Sequence, residues 1–217
     1  MRVDVVPTAD AVVPGRLGGT TVLAVDVLRA STTMIAALAN GCAGITPVAD
    51  AAEARRLAGP HGATGALVAG ERRGAPIAGF DLGNSPLEFT RDRVGGRAVF
   101  FTTSNGTRAL LAARAAAAVG VAALVNLGAA ARWAAAGGRD IVVLCAGERG
   151  ARSLEDSVCA GLLVERIAAA APGGMPSAAA REALAESRPY ARAVARRAVG
   201  SPWARRLAAA GRGADVA

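Results

Sequence analysis

Short aliphatic runs alternate with longer alanine-rich stretches of helical character along this chain. The runs at 2–6, 21–27, 45–48, 66–69, 98–103, 122–125 and 141–146 predict strands, and the segments 32–40, 50–58, 106–118, 128–136 and 154–171 predict helices. Such alternation argues for an α/β fold, layered α/β/α around a largely parallel or mixed sheet. Local signals mark several boundaries. Asp50 with Glu53, and Ser153 with Asp156, have the spacing of helix N-terminal caps. Gly41 stands where the helix that follows Ser31 should stop. Pro172-Gly173-Gly174 breaks the chain after 154–171, and 177–210 is again helical in composition, with breaks at Pro189 and at Gly200-Ser201-Pro202. No linker demands a second unit, so 1–217 reads as a single domain with a helical, arginine-rich C-terminal part, 172–217.

Composition narrows the chemistry. Hydrophobic residues make up 53% of the chain and aromatics only 3%, so the core must be aliphatic and small. All 25 basic residues are arginine. The absence of lysine excludes a Walker P-loop and Schiff-base chemistry. A single histidine, His61, excludes HExxH zinc proteases and any site with two His ligands, and it reads as a loop residue without special role. Carboxylates, arginines, hydroxyls, amides and backbone N–H groups remain, which are the partners of Mg²⁺ and of phosphate. The net charge of +8 is concentrated in 181–217, where eight arginines meet three acids. That segment carries no nucleic-acid motif and few aromatics, so a solvated helix face is the expectation and nucleic acid is not an expected partner. Cys42, Cys145 and Cys159 have no CxxC spacing and an odd count, which suits a reducing cytoplasm. The segment MRVDVVPTAD lacks a signal-peptide core, and no apolar run reaches the roughly 18 residues of a membrane span. A homodimer is the default for a small subunit of this kind.

Four polar loops follow apolar strands, where parallel α/β sheets place ligands. The first, Val25 to Thr33, brings Asp26 as a candidate catalytic group and Mg²⁺ ligand, with Arg29, Ser31 and Thr32 as anion-binding groups or plain caps. The second, Gly70 to Phe89, offers Glu71, Asp81 and Glu88 as carboxylates and Arg72, Asn84 and Ser85 as substrate donors. The third, Thr102 to Arg108, places Thr103, Ser104, Asn105, Gly106 and Thr107 at a helix start, an anion cradle. The fourth, Cys145 to Asp156, offers Arg149, with Glu155 and Asp156 either as metal ligands or, for Asp156, as a cap. Its spacing fails the cysteine-phosphatase loop, because position 151 is Ala, so Cys145 reads as a buried strand residue. Ala69-Gly70-Glu71-Arg72 and Ala146-Gly147-Glu148-Arg149 repeat at an offset of 77, as though two strand ends each present a Glu–Arg pair to one cleft. The chain has neither the DxD of haloacid-dehalogenase phosphatases at Asp26 nor a GxGxxG or GxSxG motif.

These same loops resemble the 2-phosphosulfolactate phosphatases. The blocks that carry the resemblance are Val25-Asp26-Val27-Leu28-Arg29-Ala30-Ser31-Thr32-Thr33, Gly70-Glu71-Arg72, Gly79-Phe80-Asp81-Leu82-Gly83-Asn84-Ser85-Pro86, Thr102-Thr103-Ser104-Asn105-Gly106-Thr107, and Cys145-Ala146-Gly147 with Ser153-Leu154-Glu155-Asp156 and Cys159-Ala160-Gly161. They come in the family's order within roughly 20–165, and the part after 172 matches less well. The resemblance implies Mg²⁺-dependent hydrolysis of 2-phosphosulfolactate, or a related small phosphorylated hydroxy acid, to 3-sulfolactate and phosphate, a step toward coenzyme M. Read from the residues themselves, Asp26, Asp81 and Glu71 are the candidate catalytic groups, and Asp26, Asp81, Glu155 and Asp156 the candidate metal ligands. Arg29, Arg72 and Arg149 would meet the anionic groups of the substrate. The alternatives are a non-catalytic anion- or metabolite-binding protein on the same fold and a nucleic-acid binder through the basic tail.

Overall fold

A computed structural model of the protein describes residues 1–59, 64–190 and 200–216. His61 and the stretch 191–199 of the expected C-terminal helix lie outside the described residues.

The strands divide between two sheets. The larger contains β1 (Arg2–Val6), β2 (Thr21–Val25), β7 (Ala118–Ala122), β8 (Ile141–Cys145) and β9 (Met175–Pro176), in the order β7-β2-β8-β1-β9. All its pairings are parallel. The smaller contains β3 (Gly44–Pro47), β4 (Leu67–Arg72), β5 (Ala75–Pro76) and β6 (Ala98–Thr102), in the order β3-β6-β4-β5, with only the β4–β5 hairpin antiparallel. The α/β class and the mainly parallel pairing follow from the alternation in the sequence. The partition into two sheets does not, because it is decided by which strands pair.

Helices cover both sheets. On one face of the larger sheet, Leu23, Val25 and Val143 pack against α5 (Leu127–Ala136), α6 (Leu154–Ala170) and α7 (Ala178–Ser187) through Ala131, Leu163, Ile167 and Ala183. On the other face, Val22, Val142 and Leu144 meet α4 (Gly106–Ala112) and Leu17. The smaller sheet holds α1 (Ala30–Ala39) on one face through Met34 and Ala37, and α2 (Ala51–Ala58) on the other through Ala54 and Ala58. Val121 of β7 joins the α1 cluster, so α1 lies between the two sheets. Phe89 and Phe101 meet edge to face at 6.1 Å in that core, a geometry that aromatic quadrupoles favour.

The expected caps form. The Asp50 carboxylate accepts the Glu53 N–H at 2.8 Å, and Ser153 Oγ accepts the Asp156 N–H at 3.2 Å. Gly41, at φ +84°, stands just past the end of α1. Several boundaries differ; the strand expected at 66–69 runs from Leu67 to Arg72, so Glu71 and Arg72 end it. The expected helix 106–118 ends in a 3-10 turn at Ala113–Ala115, and the strand expected at 122–125 lies earlier, at Ala118–Ala122. Three short elements, β5, β9 and α3 (Arg91–Val94), have no counterpart in the expectation. No helix among the described residues is long and apolar enough to cross a membrane.

Candidate active site

The C-terminal ends of β2, β8, β4 and β6 converge on one cleft of about 740 Å³, lined among others by Asp26, Glu71, Asn84, Ser104, Asn105 and Glu148. Five arginines line it as well: Arg29, Arg72, Arg73, Arg108 and Arg149. The repeated Glu–Arg pairs, Glu71-Arg72 and Glu148-Arg149, therefore do face a common cleft. A small pit of about 10 Å³, also lined by Asp26, is walled by Glu155 and Asp156.

Asp26 directly follows the fully buried strand β2 and is itself buried. Ser31 fixes its backbone by accepting the Asp26 N–H at 2.9 Å, and Asp26 Oδ1 accepts the Ala30 N–H at 3.2 Å. Its pKa is pushed up to about 7, chiefly by burial and further by the charges of Glu71 and Glu155, while the Ala30 N–H and Arg29 pull it down. The start of α4 presses on the same carboxylate. A Cβ on Gly106 would lie 2.7 Å from Asp26 Oδ2 and 2.5 Å from the Ala30 Cβ, so only glycine fits that approach.

Glu71 is buried at the end of β4 and accepts the Gly74 N–H at 2.6 Å and the Ser104 N–H at 2.7 Å. It thereby ties the β4–β5 turn to the loop after β6. Thr103 and Thr107 close that loop reciprocally, each hydroxyl accepting the other's N–H, at 3.1 and 3.0 Å. Asp156 performs a similar task at the floor. Its two oxygens accept the Val27 N–H at 2.9 Å and the Gly147 N–H at 3.1 Å, joining the ends of β2 and β8. Burial and the Asp26 charge push its pKa well up, against the pull of those two N–H groups. Glu155 is also raised, first by burial, and is eased by a hydrogen bond from Ser201. Cys145 is a buried strand residue, its thiol pushed up by burial.

Several expected site residues do structural work. Asp81 does not line the cleft; Oδ2 accepts the Val68 N–H at 2.8 Å and shapes the loop beside β4. Its place in a polar loop is that of a candidate ligand, but its carboxylate is taken up by a backbone donor. Ser31 and Thr32 donate to Ala24 and Val27 carbonyls, and Ser85 donates to Asp215. Glu88 accepts the Gly83 N–H. Arg29 and Arg72 line the cleft, but their guanidinium groups are engaged. Arg72 donates to the Glu71 carbonyl and to Thr102 Oγ1, at 2.8 and 2.7 Å. Arg29 Nη1 meets Asp215 Oδ2 at 2.5 Å, and its Nη2 donates to the Gly74 carbonyl at 3.1 Å. Asn84 lines the cleft, and its Oδ1 is buried without a partner among the described residues.

The C-terminal segment supplies what sequence reasoning missed. It comprises α8 (Pro202–Leu207) and the turns that follow it. Trp203 lines the cleft and donates its indole N–H to the Leu28 carbonyl at 2.7 Å. Arg206 stacks on the Trp203 ring at 5.2 Å and makes a two-pronged contact with Glu148, 2.6 Å to each oxygen. Asp215 bridges Arg29 and Ser85. The tail's basic composition drew attention to its charge, and nothing in its pattern pointed to Trp203 or Asp215 as cleft groups. Arg73 and Arg108 were likewise not singled out. Arg108 is paired with Asp10.

The family model described as 2-phosphosulpholactate phosphatase matches residues 7–217, so the match extends through the basic C-terminal part. Proteins named probable 2-phosphosulfolactate phosphatase are similar to the chain. The one from Symbiobacterium thermophilum is 43% identical over 152 residues, 70% of this chain and 65% of that protein. The one from Gloeobacter violaceus is 45% identical over 159 residues, 73% of this chain and 67% of the relative. The one from Clostridium acetobutylicum is 34% identical over 167 residues, 77% of this chain and 71% of the relative. The matched part of the chain thus spans about two-thirds of the length of these relatives. Matched over nearly its whole length, with the residues of that match converging on one arginine-lined cleft, the chain belongs to the 2-phosphosulfolactate phosphatase family.

Proposed function

We propose that the chain hydrolyses a small phosphate monoester bearing a further anionic group, with 2-phosphosulfolactate the foremost candidate, and that it uses Mg²⁺. The reaction adds water to the ester and releases 3-sulfolactate and phosphate. The observation that carries this reading is the meeting of a buried carboxyl, pushed up to about 7, with five arginines in one cleft. Guanidinium groups suit the oxygens of phosphate, carboxylate and sulfonate. The names of the relatives support the same reaction.

The oxygens in the cleft fit a hard cation. Asn84 Oδ1 has no partner among the described residues, and Asp26 is opposed by the charges of Glu71 and Glu155, so its ionised form gains from a nearby cation. Among the described residues no group of three or more His, Cys, Asp or Glu gathers to hold a metal ion. Mg²⁺ commonly takes one or two carboxylates and keeps several waters. Asp26 and Asn84 would hold it, and when bound it would neutralise phosphoryl charge and acidify a water. Glu71, by contrast, spends its oxygens on the Gly74 and Ser104 N–H groups and positions the two loops.

The test is Asp26→Asn, with folding checked by circular dichroism. Phosphate release from 2-phosphosulfolactate should fall by at least about 100-fold, the scale on which single electrostatic groups act in catalysis. Undiminished release would remove Asp26 from the site.

A further inference from the structure

Two hairpin tips reach the cleft, and each is built around an arginine. In the first, β4 turns into β5 through Arg73-Gly74, with Arg72 opposite Ala75. In the second, Glu148 and Ala151 form an antiparallel bridge around Arg149-Gly150, each donating its N–H to the other's carbonyl at 2.8 and 2.9 Å. The φ angles are +54° and +85° at Arg73 and Gly74, and +51° and +80° at Arg149 and Gly150. Two successive positive φ values in a two-residue loop are the signature of a type I′ turn. Asn, Asp or Gly normally takes the first position, because a longer L side chain is strained there. Among the described residues, Arg73 and Arg149 are the only non-glycine residues with positive φ.

Both arginines line the cleft. The other three arginines there are engaged, Arg29 by Asp215, Arg72 by Thr102 and Arg108 by Asp10. Arg73 and Arg149 are exposed residues, and their guanidinium groups have no hydrogen-bond or ion-pair partner among the described residues. Adjacent residues of a single loop steady the two tips. Ser104 Oγ accepts the Arg73 N–H at 2.9 Å, and Asn105 Oδ1 accepts the Arg149 N–H at 3.4 Å. Strained residues persist where the surroundings hold them, and they cluster at ligand clamps. Here the same strain recurs at two separate tips, on the same residue type, beside the same cleft.

We propose that Arg73 and Arg149 are paired arms that grip the second anionic group of the substrate, a sulfonate or carboxylate, and so set selectivity against phosphoesters that lack one. The proposal rests on the phosphatase reading above and deepens it. The two arms are presented on tips held by one loop, so the anion is gripped from both sheets without either side chain having first to leave another partner. A guanidinium can offer two parallel N–H groups to such an anion, which a lysine cannot.

The test uses Arg73→Gly, Arg149→Gly and the double variant. Glycine is at ease at positive φ, so each variant should melt at or above the parent's temperature, which separates loss of the arm from loss of fold. The readout is the ratio of kcat/KM for 2-phosphosulfolactate to that for ethyl phosphate, with Mg²⁺. Each single variant should lower that ratio by about 10- to 100-fold, the worth of one charge-assisted hydrogen-bonding group, mainly through KM for the sulfonate. Arg→Lys at either tip should restore part of it. An unchanged ratio, or equal losses on both esters, would overturn the proposal. Calorimetric titration with 3-sulfolactate keeps the two readings apart. A parent that releases no phosphate, yet binds 3-sulfolactate at least about 10-fold more tightly than the double glycine variant, would uphold the arms and refute the phosphatase reading. Equal binding by parent and double variant, or none by either, would refute the arms.

Discussion

Removal of the Asp215 carboxylate should unmask how firmly the C-terminal segment closes on the cleft. The Arg29 side chain is 2% exposed and that of Asp215 5%, so the pair is cut off from water. Asp215→Ala would leave a buried guanidinium with the Gly74 carbonyl, at 3.1 Å, as its one acceptor among the described residues, and would free Ser85 as well. Breaking a buried ion pair by removing one partner costs about 3–5 kcal/mol, because the remaining charge stays desolvated. For a chain of this size 1 kcal/mol moves the melting temperature by about 2–4 °C, so a fall of about 6–20 °C is expected. Thermal unfolding followed by circular dichroism at pH 7 would measure it. Arg29→Met combined with Asp215→Ala should recover part of the loss, because neither charge then remains buried. A shift below about 0.5 kcal/mol for Asp215→Ala, the level of an ordinary surface substitution, would refute the reasoning. It would mean that Arg29 reaches water in solution and that residues 213–215 do not close over it.

Other consequences follow from the floor of the cleft. Asp26 should make stability depend on pH, because its folded-state pKa of about 7 lies above the ordinary 3.8. The unfolded chain releases that proton first, so the stabilising contribution is full below about pH 4, declines as pH rises and is lost once pH passes about 7. Asp26→Asn should flatten that decline in denaturation curves taken from pH 4 to 8, and an unaltered slope would assign it to other groups. Mg²⁺ should raise the melting temperature more at pH 8 than at pH 5.5, since only ionised Asp26 attracts it, and an equal rise at both would count against Asp26 as a ligand. Gly106→Ala should destabilise by about 1–3 kcal/mol in urea titrations, despite alanine's better helix propensity, because its Cβ would overlap Ala30 and Asp26. Asp156→Ala would strand the buried N–H groups of Val27 and Gly147, at about 1–3 kcal/mol each, and a neutral result would show that water replaces them.

What the sequence disclosed depended on whether the signal was local. The caps at Asp50 and Ser153, the stop at Gly41 and the apolar strands expected at 21–27 and 141–146 are set by neighbouring residues; the caps and the stop are found, and the strands form over Thr21–Val25 and Ile141–Cys145. Strand β7 was misplaced because Ala118-Val119-Gly120-Val121-Ala122 lies in an alanine-rich stretch, where two alternating valines around a glycine are a weak strand signal. It is a strand because it pairs with β2, and Gly120 leaves room for the Trp133 ring, which a Cβ there would approach to 2.6 Å. The oxygen-rich loops were recognisable as loops that converge, and Asp26, Glu71, Asn84 and Arg149 do share a cleft. Composition could not say which polar groups would be consumed by backbone donors, as those of Asp81 and Asp156 are. Nor could it bring Asp215 to Arg29 across 186 residues, a contact that only the closed tertiary structure creates.

The most direct measurement is a ³¹P NMR time course of 2-phosphosulfolactate with the protein, run with Mg²⁺ and again with EDTA. The account predicts that the ester signal gives way to inorganic phosphate only with Mg²⁺, and that Asp26→Asn abolishes the conversion. Conversion that persists in EDTA would contradict the part assigned to the cation. No conversion by folded protein under either condition would contradict the proposed hydrolysis itself.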